Sequence, residues 1–271
     1  MTGANTPGLL AIQLWYIQNG YWFFLCCFLI FGQAGAQSQL RQTAQQFNAW
    51  AMYFGNHRIS QKWGLHTEYQ WRRNDGFKYW AQSLVRVGLD YRLRDNVTIT
   101  AGYGYIKTFP YGEQPLPTTV TENRAWEQLT LTHHSGRAFF NHRYRLEQRW
   151  VSNMKPAQDG TYYQDGSIYT NRARYKFTLN LPLNKAKMEK GVLFASVYDE
   201  PFISFGKNVQ YNVFDQNRIY GALGYQFHAL GNIQLGYLNQ IVIKPGGNKQ
   251  EVNHTLQLGI TYNMDWRQKQ G

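Results

Sequence analysis

The sequence predicts an all-β protein, a single antiparallel up-and-down transmembrane β-barrel that follows an N-terminal signal peptide. From Phe47 onward, segments of roughly ten residues alternate apolar and polar side chains between turns, which is the pattern of barrel strands. Aromatic residues make up 17% of the chain, as expected where rings form belts at two membrane interfaces. Short and long linkers also alternate, as periplasmic turns and external loops do in outer-membrane barrels.

The composition excludes two other classes of protein. A formal net charge of +12 would fit a nucleic-acid partner, but the charges stand singly among aromatic residues, so we expect no nucleic-acid binding. The mean hydropathy of −0.53 is too low for a helical membrane protein. A membrane barrel escapes that test because only alternate residues of its strands face lipid.

The first 36 residues contain no charged side chain and include the apolar run YWFFLCCFLIF at 21–31. Ala34 and Ala36 then form a small-residue cleavage site, so residues 1–36 are predicted to be a secretory signal peptide. A basic n-region is missing, which leaves a buried helix or an uncleaved anchor as alternatives.

Cysteine usage limits the chemistry of the mature chain. Both cysteines, Cys26 and Cys27, lie inside the predicted signal peptide. The mature chain would therefore have no disulfide, no thiolate metal site and no catalytic cysteine. We expect neither a metal site nor any other cofactor.

Period-two alternation identifies the strands of the N-terminal half in order. KWGLHTEYQWRR (62–73) sets tryptophan, leucine and tyrosine against histidine, glutamate and arginine. RVGLDYRL (86–93) sets valine, leucine and tyrosine against arginine and aspartate, and an RDN turn leads into VTITAGYGY (97–105). Each segment therefore has one apolar and one polar or small-residue face, as a half-buried strand requires.

The C-terminal half continues the same design. NRARYKFTLNL (171–181) opposes basic and polar residues to aromatic and aliphatic ones, and NRIYGALGYQF (217–227) and NIQLGYLNQIVI (232–243) carry small residues on one face. VNHTLQLGITYNM (252–264) opposes an aliphatic face to an amide and hydroxyl face. No helical period interrupts the series, so we expect one domain.

The number of strands follows from the number of segments and from barrel closure. Residues 46–266 are assigned to the barrel, 37–45 to a periplasmic N-terminal segment and 267–271 to a C-terminal tail. Because a single-chain bacterial barrel should have an even number of strands, about twelve are favoured and ten are the alternative. The eleven segments recognised are 46–55, 62–72, 79–93, 97–109, 123–133, 138–151, 169–181, 191–204, 213–228, 232–243 and 252–264.

One segment, 123–133, has an ambiguous facing. Glu127 shares its parity with Leu129 and Leu131, so a carboxylate and two leucines would lie on one side of the strand. We expect a β-bulge there, because an extra residue would restore the alternation.

The stretch HRYRLEQRW at 142–150 indicates which face of the strands lies inside. Three arginines and Glu147 alternate with Tyr144, Leu146 and Trp150. An arginine that faces the bilayer midplane costs roughly 2–4 kcal/mol, so the charged faces must line the lumen. The predicted lumen charge network consists of Arg86, Asp90, Arg92, Arg143, Arg145, Glu147, Arg149, Arg172, Arg174, Glu200 and Arg218, with Glu68 on the same parity.

Two interpretations of this network remain open. The guanidinium groups could pair with carboxylates across the lumen and serve as structural filler. Alternatively, arginine exceeds acid on this face, so the network could form a pore or pocket selective for small anionic solutes.

The end of the chain indicates export and assembly as a barrel. Gly259, Tyr262 and Met264 form a glycine, aromatic and large apolar pattern that resembles the final-strand signal of outer-membrane proteins. We therefore expect the outer membrane as the location, with its lipids and the barrel assembly machinery as partners. The segment DWRQKQG follows this pattern and is a modest departure from it.

The sequence contains only weak candidates for catalytic residues. His133, His134 and Ser135 adjoin at a short turn, where polar turn residues are the simpler interpretation of the pattern. Asp199 and Glu200 are adjacent, so on a strand they point to opposite faces and cannot form a dyad. We therefore expect a protein without catalysis.

Several segments together resemble DUF2490, a family of uncharacterised outer-membrane β-barrels of the Bacteroidota. They are the opening hairpin ending in KWGLHTEYQWR, RVGLDYRL followed by GYGY, RAWEQ before HRYRLEQRW, and the YDEPF and FDQNRIYGALGY segments. The resemblance covers about residues 46–265 and implies an outer-membrane location and no known reaction. We therefore expect an outer-membrane barrel with a structural or transport role. The alternatives are a lipid-modifying hydrolase of the outer membrane and a soluble barrel that binds an anionic ligand.

Overall fold

The computed structural model describes residues 41–267, and these residues form eleven β-strands. The predicted signal peptide lies outside the described residues. No helix long and apolar enough to cross a membrane occurs among residues 41–267. The strands are β1 (Gln42–Arg58), β2 (Trp63–Asn74), β3 (Tyr79–Arg94), β4 (Val97–Thr108), β5 (Val120–Ser135), β6 (Ala138–Pro156), β7 (Tyr162–Pro182), β8 (Val192–Phe205), β9 (Phe214–His228), β10 (Gly231–Ile243) and β11 (Lys249–Tyr262).

The strands close into one barrel in which each is hydrogen-bonded to its neighbours in sequence. Strand β1 completes the ring by pairing in parallel with β11, from Gln42 opposite Lys249 to Phe54 opposite Thr261. The all-β barrel is thus confirmed. Its eleven described strands fall between the favoured twelve and the alternative ten. An odd number makes the first and last strands run the same way, so the seam is parallel.

The two rims differ in their connections. One rim, here called the short-turn rim, carries residues 59–62, 95–96, 136–137, 183–191 and 229–230. The opposite long-loop rim carries residues 75–78, 109–119, 157–161, 206–213 and 244–248. Four of the five connections at the first rim have at most four residues, and 183–191 is the exception.

The start of the barrel differs from the sequence prediction. Strand β1 begins at Gln42, so residues 42–45, assigned above to a periplasmic segment, belong to the barrel wall. Their side chains already alternate between exposed and buried positions. Because the strand number is odd, Gln42 lies at the long-loop rim, whereas β11 ends at the short-turn rim. The predictions of a periplasmic N-terminal segment and of external long loops are therefore incompatible with each other.

The barrel is apolar outside and charged inside. Residues such as Val87 on β3, Leu223 on β9 and Leu235 on β10 point outward and are 49%, 66% and 55% exposed. Outward-facing rings cluster near both rims, with Trp63 against Tyr91 at the short-turn rim and Trp71 against Trp80 at the long-loop rim. This arrangement matches the apolar band and two aromatic belts of a membrane-spanning barrel.

The expected bulge in segment 123–133 is absent. Strand β5 pairs with both β4 and β6 without a register shift. Glu127 consequently points outward, where its Oε2 accepts a hydrogen bond from Gln148 Nε2 at 3.1 Å. The cross-strand amide partner accounts for a carboxylate on the apolar face without any change of register.

Candidate functional site: a charged lumen

Inward-facing positions near the middle of the strands bring most of the predicted charge network together, and the exceptions are Asp90, which accepts a hydrogen bond from Thr100, and Arg92. Arg86, Arg145, Glu147, Arg174 and Glu200 are at most 7% exposed. Asp90, Arg172 and Arg218 are also buried. The side chains of Arg143 and Arg149 are 14% and 18% exposed, and Arg92 lines the lumen nearer the short-turn rim. The alternation of each strand is the local cause, because it assigns every second side chain to the interior.

Glu147 on β6 is the most connected carboxylate of the lumen. Its Oε1 lies 2.7 Å from Arg174 Nη1 and 3.1 Å from Arg124 Nη1, and its Oε2 accepts from Arg172 Nη2 at 2.8 Å. Arg86 on β3 reaches the same carboxylate at 3.6 Å. Because β3 and β6 are not neighbours in the ring, this contact crosses part of the lumen.

Glu200 on β8 forms the second centre of the network. It pairs with Arg143 on β6, with Arg174 at 2.7 Å and with Arg218 at 3.8 Å. Glu200 is fully buried, so its charge is compensated by three guanidinium groups instead of water.

Several charged lumen residues were absent from the predicted network. Glu122 pairs with Arg124 and Arg149, and Asp215 lies 3.4 Å from Arg172. Glu122 and Arg124 face inward like Trp126, from which they are four and two residues away on β5. In the sequence this facing was ambiguous, because Glu127 lies on the same side of the strand as two leucines. Arg72 and Lys176 follow the inward parity of their strands, which was the available signal. Asp215 and Glu251 lie close to loops, where alternation alone does not fix facing.

Aromatic side chains fill the lumen between the arginines. Trp126 is 1% exposed, and its indole occupies the space above the paired Gly88 and Gly102. A Cβ at Gly102 would lie 2.6 Å from that indole, so the glycine leaves the room that the ring needs. The Arg145 guanidinium lies 4.5 Å from the centroid of Trp126, at cation–π distance.

Two cavities occupy the lumen, one toward each rim. The short-turn cavity has a volume of about 560 Å³ and the long-loop cavity about 460 Å³. Arg86, Arg174 and Arg218 line both cavities. With Glu147 and Glu200 they form a central layer of ion pairs, here called the girdle, which lies between the two cavities. Nine cationic and three acidic side chains line the short-turn cavity, and eight and three line the other. Among the described residues, cationic side chains therefore outnumber acidic ones in both cavities.

The β4–β5 loop, residues 109–119, narrows the long-loop cavity. Tyr111 and Leu116 line that cavity, and burial raises the pKa of the Tyr111 hydroxyl. Gln114 Nε2 donates to the carbonyl of Gln42 at 3.1 Å, so the loop crosses from β4 to β1. Gly112 has φ +70° and packs on the side chain of Gln46.

The residues of the assembly pattern lie at the end of β11. Gly259 faces the short-turn cavity, and Tyr262 stacks on Phe227 with a centroid distance of 6.4 Å. The amide of Met264 donates to His57 Nδ1 at 3.0 Å. Their role in assembly stays a prediction.

The catalytic candidates do not form a nucleophile and base pair. His133 stacks on Phe140 at 4.7 Å and on His142 at 5.3 Å. Within residues 41–267, no hydrogen bond joins Ser135 to His133 or His134, and no group of three or more histidine, cysteine or acidic residues could hold a metal ion. The turn supplies polar and aromatic surface at the rim.

The chain is similar to one protein family and to a solved structure. No curated protein is significantly similar in sequence to the chain. A solved structure titled as the NanC porin in a rhombohedral crystal form is similar with a TM-score of 0.41 and 12% identity, covering 75% of this chain and 93% of that chain. The model of the family described as "Protein of unknown function (DUF2490)" matches residues 47–251. The predicted resemblance is thus confirmed, and the chain belongs to the DUF2490 family.

Proposed function

We propose that the protein is an outer-membrane β-barrel without catalytic function that passes small anions along its arginine-lined lumen. The observation that carries this proposal is the pair of cationic cavities that share Arg86, Arg174 and Arg218. These shared arginines make a continuous series of guanidinium groups from one cavity to the other. Such a series offers an anion successive binding positions, as selective pores do.

A membrane location is supported by the outer surface. Large apolar side chains cover the strands between two aromatic belts. A soluble barrel would expose this apolar surface to water. Closure of the sheet pairs the backbone groups that lipid could not satisfy. The outer membrane is the compartment in which single-chain barrels of this kind are found.

The charge balance of the girdle supports anion preference over a general pore. The buried acids, including Glu147 and Glu200, are already paired with arginines. Further cations, Arg92, Arg145 and Lys176, line the short-turn cavity and form no ion pair with an acid of the described residues. A passing cation would meet net positive charge in both cavities, whereas an anion would be attracted.

Planar-bilayer recording tests the proposal. The purified chain should give ion currents, and its reversal potential in a KCl gradient should lie on the chloride side. The double variant Arg143→Gln, Arg145→Gln should shift that potential toward the cation side, because two lumen charges are lost.

A matched control removes two positive charges outside the lumen. Lys78→Gln, Lys107→Gln alters exposed side chains near the long-loop rim and should leave the reversal potential unchanged. Absence of current would contradict the transport proposal and leave a closed structural barrel. An equal shift in both double variants would show that the lumen charges do not set selectivity.

A further inference from the structure

The short-turn cavity contains two cations, Arg145 and Lys176, that form no ion pair with an acid of the described residues. Arg145 is 3% exposed, yet its Nε and Nη2 donate only to the neutral Gln128, at 2.9 and 2.6 Å. Its Nη1 is buried and has no hydrogen-bond partner among residues 41–267. Lys176 lies 4.6 Å from the Tyr198 ring centroid, and the described residues supply it no carboxylate in ion-pair range.

Like charges face one another across strands β6 and β7 at this place. Arg143 is directly opposite Lys176, and Arg145 is directly opposite Arg174. Such cross-strand pairs repel each other at Cβ separations of about 5 Å. The acids around these cations are already paired, because Glu200 is shared among Arg143, Arg174 and Arg218 and Glu68 pairs with Arg86 at 2.6 Å.

Unused hydrogen-bond capacity accompanies the excess charge. Arg143 Nε is buried without a hydrogen-bond partner in the described part of the chain, as is the hydroxyl of Thr178, two residues from Lys176 along β7. Buried donors of this kind are costly unless something accepts from them. A solvated surface would not need a partner, but Arg145 is nearly excluded from solvent.

We infer that Arg143, Arg145, Lys176 and Thr178 form a binding site for a dianionic oxyanion of the phosphate class. Two cations without an acid partner are neutralised by a charge of −2, and several oxygens are needed to accept from guanidinium, ammonium and hydroxyl donors. The cavity of about 560 Å³ has room for a phosphate monoester as well as for inorganic phosphate. This inference rests on the proposed function and names the class of anion that the lumen prefers.

Calorimetric titration of the full chain in detergent tests the site, with inorganic phosphate and glycerol phosphate as probes at constant ionic strength in chloride. Saturable binding of either probe is expected. Tighter binding of inorganic phosphate would indicate free phosphate as the ligand, and tighter binding of glycerol phosphate would indicate a phosphate monoester. Arg145→Gln and Lys176→Gln should each weaken binding about tenfold or more, because each removes a charged donor. Arg145→Lys should restore part of the affinity by keeping the charge.

Arg137→Gln is the matched control, since Arg137 lies at the same rim and donates to the carbonyls of Pro182, Leu183 and Lys185 outside the cavity. It should bind phosphate like the wild type. Absence of saturable binding, equal weakening in the control, or displacement by equimolar chloride would overturn the inference. If the reversal potential lies on the chloride side but phosphate does not bind, the phosphate site is ruled out and the proposed function still holds.

Discussion

At the scale of single residues, Glu147 and Glu127 show how facing decides the role of a carboxylate. Both lie near the middle of neighbouring strands, β6 and β5. Glu147 points inward, is fully buried and contacts four arginines. Glu127 points outward and is hydrogen-bonded to Gln148. The same side chain is thus the centre of the girdle on one strand and a peripheral polar group on the other.

Glu147→Gln should destabilise the barrel by about 3–5 kcal/mol, because removing one partner of a buried ion pair leaves uncompensated charge. The arginines on β3, β5 and β7 would lose the carboxylate that they share. Urea unfolding of the protein in lipid vesicles, followed by heat-modifiable gel migration, measures the change in free energy.

Glu127→Gln serves as the control for that measurement. Its carboxylate faces outward without an arginine partner, so a neutral amide should change the free energy of unfolding by less than about 1 kcal/mol. Equal destabilisation by the two substitutions would mean that the girdle does not stabilise the barrel through Glu147.

At the scale of the element, the β4–β5 loop and the C-terminal segment show how residues outside strands are fixed. The loop is held over the long-loop cavity through Gly112 and Gln114. At the other rim, the Trp266 ring stacks on His57 at 5.1 Å, and hydrogen bonds from Arg267 lower the pKa of the Asp265 carboxyl to about 2. Residues 265–267 are therefore anchored to the end of β1, next to the β1–β2 turn.

Gly112→Ala should release the β4–β5 loop. A Cβ at this position would lie 2.2 Å from the Gln46 amide nitrogen, and φ +70° is unfavourable for a residue with a side chain. Chymotrypsin should then cleave after Tyr111, a bond that the folded loop protects in the wild type. Gel analysis of timed digests measures the cleavage.

Gly160→Ala is the control, because it replaces a glycine of positive φ in a different loop. Gly160 also has a positive φ, +80°, but nothing lies within 4 Å of a Cβ there. It should leave the loop at 109–119 protected. Protection of the loop in both variants would show that the contact with Gln46 does not hold it.

At the scale of the whole molecule, an odd number of strands decides where the chain enters and leaves. The parallel seam of β1 and β11 places Gln42 among the long loops and Tyr262 among the short turns. The short turns of bacterial barrels lie on the periplasmic side. On that rule we expect Gln42 at the external rim, although residues 42–45 were assigned in the sequence to a periplasmic segment.

Cysteine labelling on whole cells measures this orientation, since residues 41–267 contain no cysteine. Gln158→Cys places a thiol in the β6–β7 loop, and Ala229→Cys places one in the β9–β10 turn, both at exposed positions. A membrane-impermeant maleimide should label the first variant and not the second until the cells are lysed. The reverse pattern would place the long loops in the periplasm.

The sequence by itself determined the barrel class, the eleven segments and the inward side of most strands, because these depend on a local period of two residues. It therefore placed Arg145 and Glu147 in the lumen together. Only the tertiary structure decided which charges meet, since Arg86 reaches Glu147 across strands that do not adjoin. Closure of an odd number of strands likewise made the seam parallel, and contacts with β1 placed residues 109–119 over the lumen. It also left Arg145 and Lys176 without an acid, because curvature of the closed sheet sets which acids each arginine can reach.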